Sequence, residues 1–268
     1  MVLRLASLLA IAMAFPAQGA LFPTPLHLVR RIEEPAAQKT SVVEEFCQGN
    51  RVVTVVMGGR LVTIADYGAQ ELTEISRDRH EYSVTPFAEI ARATTGTGRL
   101  HDARTMKVAS SEWHTRSLGL KTSASGRPSD VYELSRPSHS IEVAFDRTIL
   151  LSRAALEVLI GASYPSPHGE EHDAILRAAK ENGELRATSS MLASSSEEVF
   201  ALPVEQTIIH SLDGASFTVR VSIIRVDAAT VPRELLAIEP GARQVQSRLT
   251  RLQLEIAATE QLPSLKQP

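Results

Sequence analysis

His168, Gly169, Glu170, Glu171 and His172 form the run in this 268-residue chain whose residue types and spacing best match a known reaction chemistry. In an H-x-x-E-H pattern, two imidazoles one helical turn apart ligate zinc and the glutamate activates the metal-bound water. His168, Glu171 and His172 are therefore the candidate metal residues. Pro165, Pro167 and Gly169 place His168 at or before the start of the helix, where nothing fixes its rotamer. The run reads first as a solvated helix start, since carboxylates in a first turn are favoured by the helix dipole. Zinc hydrolysis is the lesser alternative, and no other stretch implies a cofactor.

The remaining nucleophile and acid-base candidates are weaker. There is no G-x-S-x-G, and the stretch around Ser163 lacks both the second glycine and the preceding strand. Glu33 with Glu34, Glu44 with Glu45, and Glu197 with Glu198 are adjacent in sequence, so in strands each pair splits to opposite faces and builds no shared site. We read them as solvated. Cys47, the only cysteine, cannot form an internal disulfide and reads as a small buried hydrophobe in a strand. Trp113 and His114 mark either a ligand groove or, more simply, the rim of a core. With no catalytic constellation, a non-enzymatic protein is expected.

These side chains must be positioned by a largely β framework. Gly49-Asn50 and Gly58-Gly59 supply the positive φ that two-residue hairpin turns require. They predict consecutive antiparallel strands over 41–48, 51–57 and 60–66, followed by 71–75 and 80–84. Residues 26–32 fit a strand or a short helix. Both parities of 52–57 are apolar, which predicts a central strand covered on both faces. A short helix over 86–93, a Thr/Gly-rich loop over 94–104 and strands near 106–109, 113–121, 131–134 and 140–145 follow. Helices are predicted over 153–160, capped by Ser152 and closed by Gly161, and over 170–182, closed by Gly183. Phe200, Leu202, Val204 and Ile208 share one parity, as do Phe217, Val219, Val221 and Ile223 across Asp213-Gly214, so this hairpin buries one face. Val245, Leu249, Leu252 and Ile256 predict a C-terminal helix with one apolar stripe.

Residues 1–19 read as a secretory signal, with Arg4, an apolar core over 5–15, and Ala17 and Gly19 at the −3 and −1 positions of a cleavage site. That apolar run is too short to span a bilayer. Residues 20–268 are expected to form a single half-barrel-like domain, exported to the periplasm or beyond. A formal net charge of −3 with mixed signs gives no basic stripe, which argues against nucleic-acid binding.

The strand succession itself resembles a family. Residues 52–57, the hairpin, 62–66, then Leu72-Thr73-Glu74-Ile75 and Arg79-His80-Glu81-Tyr82-Ser83-Val84 are similar to the corresponding strands of LolA/LolB-like proteins, over roughly 41–87. Those are exported carriers whose half-open antiparallel barrel, lidded by helices, holds acyl chains of lipids or lipoproteins. The resemblance implies an α+β fold, with a large curved antiparallel sheet (half-barrel) covered on its concave face by helices. It also implies a cavity for an apolar or acyl ligand, whose lining residues the sequence does not identify. An envelope interaction or sensor module without a small ligand is the alternative, with an envelope protein as partner.

Overall fold

A computed structural model of the chain describes residues 19–90, 113–137, 139–161, 170–186, 198–212 and 215–247. The expected signal segment up to residue 18, the loop over 94–104, the strand near 106–109, His168, the Asp213-Gly214 turn and the chain from 248 onward lie outside these residues.

Twelve strands form one open sheet in the order β12-β6-β5-β4-β3-β2-β1-β11-β10-β9-β8-β7. They are β1 (Phe22–Glu34), β2 (Lys39–Gly49), β3 (Arg51–Val56), β4 (Leu61–Asp66), β5 (Glu71–Ser76), β6 (Glu81–Pro86), β7 (His114–Thr122), β8 (Pro128–Arg136), β9 (His139–Ser152), β10 (Val199–Leu212), β11 (Ala215–Asp227) and β12 (Arg243–Gln244). All pairings are antiparallel except β12 on β6. Helices α1 (Arg153–Gly161) and α2 (Glu170–Arg186) pack on the β8–β10 side, and α3 (Arg233–Leu236) is a single turn.

From β3 to β6 the chain runs as a meander with a ten-residue beat, each six-residue strand followed by four residues of turn. Gly49-Asn50 is the two-residue turn expected, pairing Gln48 with Arg51. Gly58-Gly59 is not: Val56 pairs with Leu61, so the connection is four residues, 57–60, and Met57 itself takes a φ of 56° beside the two glycines. The turns at 35–38 and 77–80 each close on a left-handed residue, Gln38 and His80 respectively, whose amide donates back to the carbonyl three residues earlier. Residues 26–32 resolve as strand, inside β1.

β3 is covered on both faces, as its double apolar parity demands. Register places Cys47, Val52, Ala65 and Leu72 on one face, within the main core, and Phe46, Val53, Val55, Val62 and Ile75 on the other. Residues Ala229, Val231, Leu235 and Leu236 cover that second face after β11 ends. The expectation of a large antiparallel sheet holds, and among the described residues helices cover part of it. The protein is mostly β; among the described residues α2 packs on β8–β10, α1 adds Ala155, Val158 and Leu159 to the core that β1–β5 share, and irregular chain with one helical turn covers the opposite face of β2–β6. The apolar parities of β10 and β11 are buried as expected, Phe200, Leu202, Val204, Ile208, Val219, Val221 and Ile223 all lying in the core.

Two helix ends differ from expectation. The Ser152 hydroxyl caps α1 by accepting the Ala155 amide at 3.3 Å, as predicted. By contrast α2 runs through Gly183 to Arg186. Gly183 is there because the helix approaches β10 closely: a Cβ would lie 2.4 Å from the Val199 carbonyl oxygen. At the other end, the helix expected from Val245 does not begin there. Residues 243–244 pair with β6, and the Val245 amide donates to the Tyr82 carbonyl at 2.8 Å.

A row of polar side chains crosses the otherwise apolar face of β2–β6: Glu45, Thr54, Thr63, Glu74 and Ser83 are successive cross-strand partners. The Thr54 and Thr63 hydroxyls are buried and find no hydrogen-bond partner among the described residues. A buried hydroxyl without a partner costs about 1–3 kcal/mol. Thr63→Val, which keeps the shape and removes the hydroxyl, is expected to raise stability by about 1 kcal/mol in urea unfolding; a loss of that size would mean the hydroxyl is satisfied after all.

Candidate functional site

Antiparallel order brings the start of β1, the β2–β3 and β4–β5 turns, the end of β9, the start of β10 and the end of β11 to one end of the sheet. There they line a cleft of about 1090 Å³. In sheet order β4 and β9 are six steps apart. On a flat sheet that is about 29 Å at the usual strand spacing. Tyr67 and Gly68 after β4 and residues 148–152 of β9 nevertheless both line the cleft, and side chains of β1–β5 and β8–β11 share one core cluster, so the sheet curves around this end.

The cleft floor is apolar. Phe22 and Tyr67 are buried in the main core, and Leu26, Ile149, Leu151 and Val226 are half-buried side chains packed on that core. Tyr67 stands edge-on to Phe87 at 5.4 Å, and burial pushes its phenol well above the ordinary value, so it presents a neutral ring. Local bonds set the entrance: the Leu21 amide donates to the Asn50 side chain at 2.9 Å, and the Tyr67 amide to the Asn50 carbonyl at 2.8 Å. The Asp66 carboxylate accepts the Gly68 and Ala69 amides at 3.0 and 2.9 Å, fixing the β4–β5 turn.

Charge sits at the rim, where Arg127, Arg153, Glu198 and Asp227 line the cleft. Glu198 is bonded by Lys180, and Arg153 donates to Glu157. Asp227 accepts from Arg225 at 2.6 Å and contacts His27 Nδ1 at 2.8 Å. Arg127 donates to Asp146 through Nε and to the Thr148 hydroxyl through Nη2. Asp146 is fully buried; burial alone would push its carboxyl up, and the bonds from Arg127 and from the Thr148 hydroxyl and amide outweigh it, holding the group below its ordinary 3.8. It is ionised throughout the neutral range.

Beside the cleft, on the face opposite Leu28 and Glu45, His27 is clamped between two carboxylates. Its Nδ1 faces Asp227 and its Nε2 faces Glu44, each at 2.8 Å, while the ring stacks on Phe46 at 4.3 Å. The clamp ties β1 to both neighbours, β2 and β11. A ring with both nitrogens on carboxylates donates twice only when doubly protonated.

Of the candidate metal residues, two are among the described residues. Glu171 and His172 lie at the start of α2, and Glu171 approaches His139 of β9 at 3.6 Å. His168 lies outside the described residues, and among those described no group of three or more His, Cys, Asp or Glu could hold a metal ion. Burial pushes the Cys47 thiol far above its ordinary value, with Glu45 adding to it, in line with its reading as a hydrophobe. Trp113 packs at the rim of the helix-covered core under the Arg136 guanidinium, 4.9 Å from the ring centre, and does not line the cleft.

Glu44 and Glu45 do split to opposite faces, but reading them as solvated needs correction for Glu45. It is 2% exposed and accepts Arg30 Nε at 2.6 Å. A signal for this pair exists in the sequence. Arg30 interrupts the apolar parity Leu26, Leu28, Ile32, and Glu45 interrupts Val43, Cys47, so two opposite charges break the buried face of neighbouring strands. Nothing comparable marks the cleft, whose lining is gathered from segments up to two hundred residues apart.

No helix among the described residues is long and apolar enough to cross a membrane. No protein-family model matches the chain, and no curated protein matches it. Solved structures that it resembles include PNGF-II in the C2 space group, at 7% identity and a TM-score of 0.37 over 87% of this chain and 33% of that one. Another is MucB, at 13% identity and 0.36 over 91% of this chain and 64% of that one. MucB in complex with MucA(peri) is matched at 13% identity and 0.33 over 82% of this chain and 54% of that one. The chain thus spans a third of PNGF-II and just under two thirds of MucB, and likenesses at these scores carry no argument about function.

Proposed function

We propose that this chain is an exported, non-enzymatic binding protein that takes an apolar, acyl-type ligand in the cleft at the end of its sheet. The observation that supports this reading is the cleft itself, a 1090 Å³ space whose floor is apolar and whose rim carries the charges. That volume is at the upper end of what small-ligand sites need, and an apolar floor with few polar groups is their usual composition. Each methylene buried gains about 0.8 kcal/mol, so ten would supply about 8 kcal/mol before the cost of association. The LolA/LolB-like strand succession over 41–87 agrees with carriage of an acyl chain, although the proposed site lies at the strand ends and not across a helix-lidded concave face.

Titration of the full chain with a fluorescent fatty-acid analogue tests it. Ile149→Glu, which puts a charge on the apolar floor, is expected to weaken binding at least tenfold. Leu120→Glu, on the exposed β7, is expected to change nothing. Equal affinity in all three proteins would remove the cleft as the site.

A second reading, a docking module for an envelope protein with no small ligand, is favoured by one observation. Among the described residues β7 is an edge strand, exposed along almost its whole length, with Leu118 and Leu120 open to solvent. An extended segment of a partner can add to such an edge. The bulge between Ser117 and Gly119 and the cations Arg116 and Lys121 work against it, as they do on protected edges.

A further inference from the structure

We propose that the cleft selects an amphiphile with an acidic head group, a carboxylate or a phosphate ester, and that Arg127 is the residue that meets it. This rests on the reading of the cleft as an apolar-ligand site. It adds which end of the ligand is recognised, and how.

Of the charged groups at the rim, three are paired within the protein: Glu198 with Lys180 at the surface, Arg153 with the buried Glu157, and Asp227 with the buried His27 and with Arg225. Arg127 differs from Arg153, which among the described residues is bonded through Nε alone, in being held at two nitrogens. Its Nε is bound by a carboxylate with no exposure to solvent, and its Nη2 by the neutral Thr148 hydroxyl. Asp146 is itself locked by the Thr148 amide and hydroxyl, both at 2.7 Å, and by the Ile149 amide at 3.0 Å. The guanidinium is thus fixed on one side of its fork by groups that cannot move independently of β9. Its Nη1 bonds no described residue, and the side chain is one-third exposed where it lines the cleft.

A planar fork with one side anchored and the other open is a preorganised receptor for a second carboxylate or phosphate oxygen pair. Thr148 and Ile149 carry the geometry from anchor to floor: the segment that holds Arg127 also supplies the apolar side chain of Ile149. A ligand lying on the floor therefore brings its polar end to the rim beside Arg127, and the chemistry that complements a fixed cation there is an anion.

The test compares dodecanoate, dodecyl phosphate, dodecanol and inorganic phosphate on the full chain by competition against a fluorescent acyl probe. The two anionic amphiphiles are expected to bind at least tenfold tighter than dodecanol, and inorganic phosphate to compete only weakly. In Arg127→Gln the gap between dodecanoate and dodecanol is expected to close, with Arg127→Lys restoring part of it. Because removing Arg127 strands the buried Asp146, salt provides a second measurement on the unaltered protein. Raising ionic strength is expected to narrow the gap, since the rim is partly exposed and screened.

Equal binding of dodecanoate and dodecanol would overturn the acid preference and leave the apolar cleft standing. Failure of all four to bind would overturn both. A preference that persists undiminished in Arg127→Gln would remove Arg127 from the assignment. Displacement of the probe by inorganic phosphate as effective as that by dodecyl phosphate would make the ligand a free anion and overturn the amphiphile.

Discussion

Glu45→Ala is expected to destabilise the protein by about 3–5 kcal/mol, because it breaks a buried ion pair by removing the carboxylate that Arg30 Nε bonds. The two side chains are 3% and 2% exposed and joined at 2.6 Å, so water cannot take over the lost partner. Removing both charges is a different experiment. Arg30→Met with Glu45→Leu fills the same space with apolar side chains and relieves two desolvation costs; replacements of this kind are often neutral or stabilising by about 1–4 kcal/mol. Urea unfolding of the two variants should therefore put the double replacement well above the single one. A single variant within about 1 kcal/mol of the parent would show that the pair is not buried as described.

Gly183→Ala sets two effects of known size against each other. In an exposed helix interior the change to alanine stabilises by about 0.8–1 kcal/mol. Here the new Cβ would meet backbone of β10, 2.4 Å from the Val199 oxygen and 2.9 Å from the Phe200 Cα, and backbone does not rotate away as a side chain can. α2 must then lift from β10, loosening the contacts of Ile175, Ala178 and Ala179 with the helix-covered core. Overpacking of this kind typically costs about 1–3 kcal/mol, which exceeds the propensity gain. A net loss in thermal or urea unfolding is expected; a net gain would contradict the close approach.

Gly183 also shows where reading from sequence reached its limit. A glycine after a helical run carries the same signal whether it ends the helix or lets the helix touch a strand, and only the strand from Val199 distinguishes the two. The hairpins were legible because local chemistry decides them: turn residues at 49–50, alternation in β10 and β11, double apolar parity in β3. Even so, Gly58-Gly59 gave the place of a turn and not its length, since Met57 accepts a left-handed conformation that its residue type does not announce.

β1 was ambiguous because His27 and Arg30 interrupt its pattern, and both do so for partners brought by other strands. Within the cleft the same rule holds. Tyr67, Ile149 and Val226 are ordinary strand-end residues in sequence, and only the bend of the sheet makes them one surface. The H-x-x-E-H run shows the converse, a pattern visible in sequence whose two described members, Glu171 and His172, sit on α2 with His139 nearby and build no metal cluster with the other described residues.

The central claim is that the cleft holds an apolar ligand. Its most direct measurement is extraction of the purified full-length protein with organic solvent, followed by mass spectrometry of the organic phase, using Ile149→Glu prepared identically as the reference. The account predicts a reproducible, near-stoichiometric amphiphile from the parent protein that is depleted in the variant. Recovery of no amphiphile from the parent, together with no binding of added acyl probes, would contradict it.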